Sequence, residues 1–222
     1  MDRVFLSLVL LVGVASAKNL GIVDGKPAEE GQFPWQVSLQ VLVPGLGWAH
    51  VCGGSLISKN RVLTAAHCYD SSLHPDYNPE LVATPNDIAV LKLATDANTD
   101  IPQIGTIPLA DVEDDFTGEE CTISGWGRTG GDQPISNELM FVDMQQISNA
   151  LCAWIWGALN IFDEMICIYD PPKSSCNGDS GGPMVCSGKL AGVTSWGQVG
   201  CPGSTPSVYT RVSSFIEWIK EQ

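Results

Sequence analysis

Asn177-Gly178-Asp179-Ser180-Gly181-Gly182-Pro183 is the stretch on which the reading of this chain turns. A serine set between glycines can sit on a tight turn with its hydroxyl exposed and backbone N–H groups converging beside it. Alone, such a string is also an ordinary loop. Two stretches upstream change its weight: Leu63-Thr64-Ala65-Ala66-His67-Cys68 and Asn86-Asp87-Ile88-Ala89-Val90-Leu91. A serine hydroxyl is a weak nucleophile until a neighbouring base takes its proton, and an imidazole does so best when a buried carboxylate fixes its tautomer. A lone histidine in an apolar run is more often a core residue, and a lone aspartate before a strand is more often a cap. The combination of all three stretches carries the chemistry. His50 and His74 have no such partner in the sequence and read as bystanders.

These motifs resemble those of the chymotrypsin-like, trypsin-fold serine peptidases, and the resemblance runs from Ile22 to Gln222. It implies an all-β fold of two perpendicular six-stranded antiparallel β-barrels with the active site between them. The first barrel would occupy about residues 22–110, the second about 118–211, and a C-terminal α-helix about 212–221. By the same resemblance His67 is the general base, Asp87 its orienting carboxylate and Ser180 the nucleophile. The backbone N–H groups of Gly178 and Ser180 form the oxyanion hole, a donor of that kind being worth roughly 3–4 kcal/mol. The implied function is peptide-bond hydrolysis through an acyl-enzyme intermediate by a secreted, monomeric endopeptidase. Polypeptide substrates and protein protease inhibitors are the implied partners, and no cofactor or metal is called for. Of the 105 connectivities open to eight cysteines, the family pattern implies Cys52–Cys68, Cys121–Cys186, Cys152–Cys167 and Cys176–Cys201.

The resemblance also speaks to specificity. The residue six before the nucleophile, at the base of the primary pocket, is Ser174, followed by Ser175. A lysine or arginine side chain needs a buried carboxylate there, so trypsin specificity is disfavoured. Gly197, in Ser195-Trp196-Gly197, matches the pocket mouth and leaves room for a large side chain. Ser207 stands where glycine is more usual and narrows the pocket, which keeps an elastase-like preference open beside cleavage after Phe, Tyr, Leu or Met. Ile22-Val23-Asp24-Gly25 resembles a mature N-terminus whose amine pairs with the acid before the nucleophile, here Asp179. Gly21 precedes it where Arg or Lys is usual, so tryptic cutting at this bond is not supported, and cutting after Lys18 leaves three residues too many.

Composition bounds the alternatives. With 222 residues, 44% hydrophobic and 16% charged, the chain has material for a packed core and is neither a coiled coil nor a disordered tail. A formal charge of −14 repels nucleic-acid backbones and anionic membrane surfaces, so no nucleic-acid or membrane partner is expected. No cysteine pair has the C-x-x-C spacing of a metal site. The apolar run Val4–Val14 followed by Ala15-Ser16-Ala17 reads as a signal peptide over 1–17, with 18–21 as a short propeptide. That run is short of the roughly 20 residues a spanning helix needs. Export and an extracellular, oxidising location follow. The six acids between Asp111 and Glu120 read as a solvated linker between barrels rather than a calcium loop.

Strand candidates are Trp35–Val43, Gly54–Ile57, Ile88–Leu93, Thr122–Trp126, Met184–Cys186, Lys189–Trp196 and Val208–Arg211. A helix over 212–221 is read from Val212, Phe215, Ile216 and Ile219 on one face. Ser148–Trp154 is too brief to assign. One spacing departs from the family. The template separates Asp from Ser by roughly 93 residues and His from Asp by roughly 45. Asp87 to Ser180 is 93 residues, yet His67 to Asp87 is only 20. Roughly 25 residues are therefore missing near Tyr69–Leu73, enough for two or three strands, and an incomplete first barrel is expected. The loss of cover over four or five apolar side chains, at about 1.5–3 kcal/mol each, rivals a whole domain's stability of about 5–15 kcal/mol. A catalytically impaired homologue, serving in binding or regulation, is the alternative reading.

Overall fold

The computed structural model describes residues 22–69, 74–81 and 83–222. The expected signal segment, residues 18–21 and positions 70–73 lie outside the described residues.

Among the described residues, eleven strands and two α-helices run in the order β1 (Lys26–Pro27), β2 (Gln36–Val43), β3 (Gly47–Ser58), β4 (Arg61–Thr64), β5 (Ala89–Lys92), β6 (Glu120–Gly125), β7 (Met140–Ile147), α1 (Asn149–Trp156), β8 (Met165–Ile168), β9 (Pro183–Cys186), β10 (Lys189–Trp196), β11 (Ser207–Arg211) and α2 (Ile216–Glu221). All strand pairs are antiparallel. In the second half the order β7-β6-β9-β10-β11-β8 returns to β7 and closes a six-stranded barrel, with β1 added outside β7. Alternation fills it: Cys121 and Ile123 of β6 point into the core with Met140, Val142, Met144, Ile166, Met184 and Tyr209. Thr122, between them, faces out and donates to Asp143 Oδ1 at 2.6 Å. Strand β10 is apolar on both faces for a reason: Ala191 joins the barrel core, while Leu190 and Val193 pack against Val212, Phe215 and Ile219.

The first half forms a four-stranded open sheet, β2-β3-β4-β5, instead of a closed barrel of six. This agrees with the short spacing between His67 and Asp87, from which an incomplete first barrel is expected. Strand β2 shows the consequence. None of its eight residues is buried, and Val41 and Leu42 are 47% and 63% exposed.

Several elements differ from the sequence reading. Strands β1, β4, β7 and β8 were not anticipated. Met140–Ile147 lacks a clean alternation and carries Asp143, a poor strand former, and is held by pairing to β6 and β8. Ser148–Trp154 does enter a helix: α1 spans Asn149–Trp156, and the Ser148 hydroxyl caps it by accepting from Leu151 N at 3.2 Å. The C-terminal segment starts as a 3₁₀ turn, Val212–Phe215, before α2. The acidic linker is partly tied down, since Lys189 Nζ reaches Asp111 at 2.7 Å and Asp114 at 2.8 Å.

All four implied disulfides are formed. Cys121–Cys186 bridges directly paired residues of β6 and β9, and Cys152–Cys167 joins α1 to β8.

Candidate active site

His67 sits on a 3₁₀ turn, Ala66–Cys68, that follows β4, and Cys68 is bonded to Cys52 of β3. Asp87 lies two residues before β5 and is fully buried. Its Oδ1 accepts the His67 backbone N–H at 2.9 Å and its Oδ2 lies 2.7 Å from His67 Nδ1. An ionised carboxylate only accepts, so Nδ1 carries the proton and Nε2 keeps its lone pair. Two groups from the closed barrel complete the cradle: the Ser195 hydroxyl donates to Asp87 Oδ2, and Thr210 Oγ1 donates to Asp87 O at 2.7 Å.

Ser180 lies on the turn between Cys176 and Pro183. The turn is threaded tightly against the first sheet, with Gly53 N donating to Ser180 O at 2.7 Å. Gly181 has φ +76°, and a Cβ on it would stand 2.2 Å from Thr64 Oγ1 and 2.7 Å from Gly53 O. Only glycine fits there. Among the described residues, neither the Gly178 nor the Ser180 backbone N–H donates to a protein acceptor, so both remain free to meet an oxygen. His67 and Ser180 line one hollow of about 450 Å³. No hydrogen bond yet joins them, as is common where no substrate is bound.

Asp179 is buried behind this turn. Its oxygens accept Gly127 N at 2.7 Å and Cys176 N at 2.8 Å. Burial pushes its carboxyl up to about 7, against the pull of those two N–H groups. Ile22 is also fully buried, in the barrel core, and Val23 N donates to Ser174 O at 3.0 Å. No ion pair joins Asp179 to any described residue.

Sequence reasoning passed over His50. Its Nε2 lies 2.8 Å from Gly178 O and its Nδ1 2.8 Å from Ser38 Oγ. A carbonyl only accepts, so Nε2–H donates and Nδ1 accepts from the serine. This side chain on β3 therefore fixes the peptide that follows one of the two free N–H groups. A hairpin register would have put Ser38 and His50 near each other, but Gly178 is too distant in sequence to be foreseen. His74 packs against Phe215 and Trp218, with ring centroids 5.4 and 4.9 Å away.

A second hollow, of about 240 Å³, opens on the other side of Ser180, lined by Ser175, Ser195, Trp196, Gly197 and the Cys176–Cys201 disulfide. It contains no carboxylate. Ser174 and Ser207 are buried and do not line it; their hydroxyls lie 3.2 Å apart, and Ser174 donates to Ser175 O at 2.7 Å.

Fold and site together define a class: a β-barrel hydrolase organised around a serine, a histidine and a buried aspartate. The family model described as Trypsin matches residues 22–73 and 71–219, and the chain belongs to that family of serine endopeptidases. The match divides where the spacing places the missing segment. A chymotrypsin-like serine proteinase of Haliotis rufescens is 37% identical over 237 aligned positions, covering 90% of this chain and 91% of that protein. Isozyme C of the fibrinolytic enzyme of Lumbricus rubellus is 34% identical over 89% of this chain and 98% of that one. Both alignments are longer than the chain itself, in keeping with residues missing from it. Neuropsin, a serine protease of mouse brain, superimposes with a TM-score of 0.79 at 30% identity, covering 90% of this chain and 99% of its own.

Proposed function

We propose that this chain is a secreted endopeptidase that cleaves after Phe, Tyr, Leu or Met through an acyl-enzyme intermediate. His67 Nε2 takes the proton of Ser180 Oγ as the hydroxyl attacks the scissile carbonyl. Asp87 holds the imidazole in the Nδ1–H tautomer and stabilises its protonated form. The oxyanion is received by the N–H groups of Gly178 and Ser180. The proton then passes from His67 Nε2 to the leaving amine, and water repeats the sequence to release the acid. The observation that carries the reading is the bond of Asp87 to both His67 N and His67 Nδ1 beside two free backbone donors. The carboxylate-free pocket supports an apolar preference, because a buried lysine or arginine would find no counter-charge. Maturation at Gly21–Ile22 would give an amine for Asp179. Four disulfides are consistent with an oxidising compartment.

The experiment is active-site titration of the folded chain, opened before Ile22, with an aryl phosphonate, beside a Ser180→Ala control. Stoichiometric label on the wild type and none on the control is expected. Absence of label on the wild type ends the enzymatic reading and leaves the non-catalytic homologue, which the open first sheet favours. Best cleavage after Lys or Arg in a peptide panel would overturn the specificity.

A further inference from the structure

Two hollows flank Ser180, and they share only that residue and Asn177. The walls of the first hold no charge. Those of the second comprise His67, the Cys52–Cys68 disulfide, His50, Gly178, Ile135 and Arg128. Departure chemistry assigns the two sides. The leaving amine must receive its proton from His67, and His67 lines the second hollow and not the first. If the acyl side chain occupies the first, the leaving segment exits across the second.

Arg128 is the one lysine or arginine lining either hollow, in a chain with 25 acidic and 11 basic residues. Lys26, Lys173, Lys189 and Lys220 pair with acids, and Lys59, Arg61, Lys92 and Arg211, which have no such pair among the described residues, line neither hollow. Arg128 has no ion pair among the described residues. It is half-buried and held in place: its backbone N–H donates to Asn177 O at 2.9 Å, and its Nη1 donates to Gly131 O at 2.7 Å. Gly131 in turn is pressed so close to Gly200 that a Cβ on it would stand 2.8 Å from the Gly200 Cα. One guanidinium edge is thus anchored, and among the described residues its remaining donors have no protein acceptor. Among the described residues no carboxylate lines the hollow to compete: Asp87 is turned to His67 and Ser195, and Asp179 to Gly127 and Cys176.

We propose that Arg128 selects substrates carrying a carboxylate within the first two residues of the leaving segment. The inference rests on the endopeptidase reading above and gives that site a second specificity element. The carboxylate can be a Glu or Asp side chain or the free C-terminus of a short leaving segment, because guanidinium recognises both alike. Ile135, beside it, adds apolar contact.

The test uses quenched peptides with one acyl part and leaving segments carrying Glu, Gln or Lys at the first or second position, all amidated. A further Gln peptide ends in a free carboxylate at the second position. The readout is the ratio of kcat/KM values on one enzyme, which cancels any general change in activity. The wild type is expected to favour Glu over Gln about fivefold at one of the two positions. The preference should shrink in 1 M salt, disappear in Arg128→Gln and turn towards Lys in Arg128→Glu. A gain for the free-acid peptide alone assigns the terminal carboxylate as the ligand; a gain for Glu assigns the side chain. Equal rates for every peptide in the wild type, or a Glu preference that survives Arg128→Gln, overturn the proposal. If phosphonate labelling fails and the enzymatic reading falls, fluorescence anisotropy of the same peptides on the folded chain decides. Tighter binding of carboxylate peptides that is lost in Arg128→Gln upholds the role of Arg128, and equal binding refutes it.

Discussion

Asp179 gives the sharpest quantitative expectation, because it is buried without a counter-charge among the described residues. Its carboxyl is pushed from 3.8 up to about 7, and a shift of about three units corresponds to about 4 kcal/mol. Between pH 4 and pH 7 the folded chain keeps this proton while the unfolded chain has lost it. Folding stability from this group is therefore fully present below pH 4 and is lost as pH rises through 7. Urea unfolding of the uncut, disulfide-intact chain at intervals from pH 4.5 to 8 should show that decline, and Asp179→Asn should lack it. The asparagine puts an amide N–H against Gly127 N or Cys176 N and lowers stability at every pH, so the slope, not the offset, is diagnostic. Cutting before Ile22 supplies an ammonium, and pairing it with Asp179 should flatten the decline until the amine itself titrates near pH 8. Parallel pH profiles for the wild type and Asp179→Asn would refute the reasoning.

Three further outcomes are expected. Asp87→Asn keeps the geometry but forces the wrong imidazole tautomer, so kcat should fall about 10⁴-fold in steady-state assays while the unfolding midpoint moves little. His50→Ala frees the carbonyl of Gly178 and loosens one oxyanion donor; kcat should drop about tenfold with KM little changed, and a lowered affinity with intact kcat would contradict that role. Val41→Lys places a charge on the open edge of β2; light scattering at high concentration should show less self-association, with peptide cleavage unchanged.

The family and the candidate site residues were legible because the motifs lie in contiguous runs. His67, Asp87 and Ser180 each sit in a short motif, and the family pattern named all four disulfides. Ser174 and Ser207, expected at the pocket, are buried and lie hydroxyl to hydroxyl instead of lining the hollow. Elements whose stability is tertiary were not legible. Met165–Ile168 has only four residues, all buried, and nothing in its pattern separates a strand from a helix turn. His50 bonds a carbonyl on the distant turn before β9, a contact that no local pattern encodes.

The missing segment raises the question of why Asp87 still reaches His67. Its anchors explain this. Ser195 and Thr210, which hold its side chain and its carbonyl, belong to β10 and β11 of the closed barrel. Ile88, next in sequence, is buried with Val212, Phe215 and Ile219, so the C-terminal helix region covers it. Strand β5 then pairs with β4 from Thr64↔Ala89 to Arg61↔Lys92, which leads straight back to the histidine turn. None of these contacts passes through residues between Tyr69 and Leu73. The cost of the gap falls at the far side of the sheet, on β2, whose apolar side chains stay half-exposed. A shortened first sheet and an assembled Asp–His pair are therefore compatible, because the aspartate is held mainly by the half of the molecule that is complete.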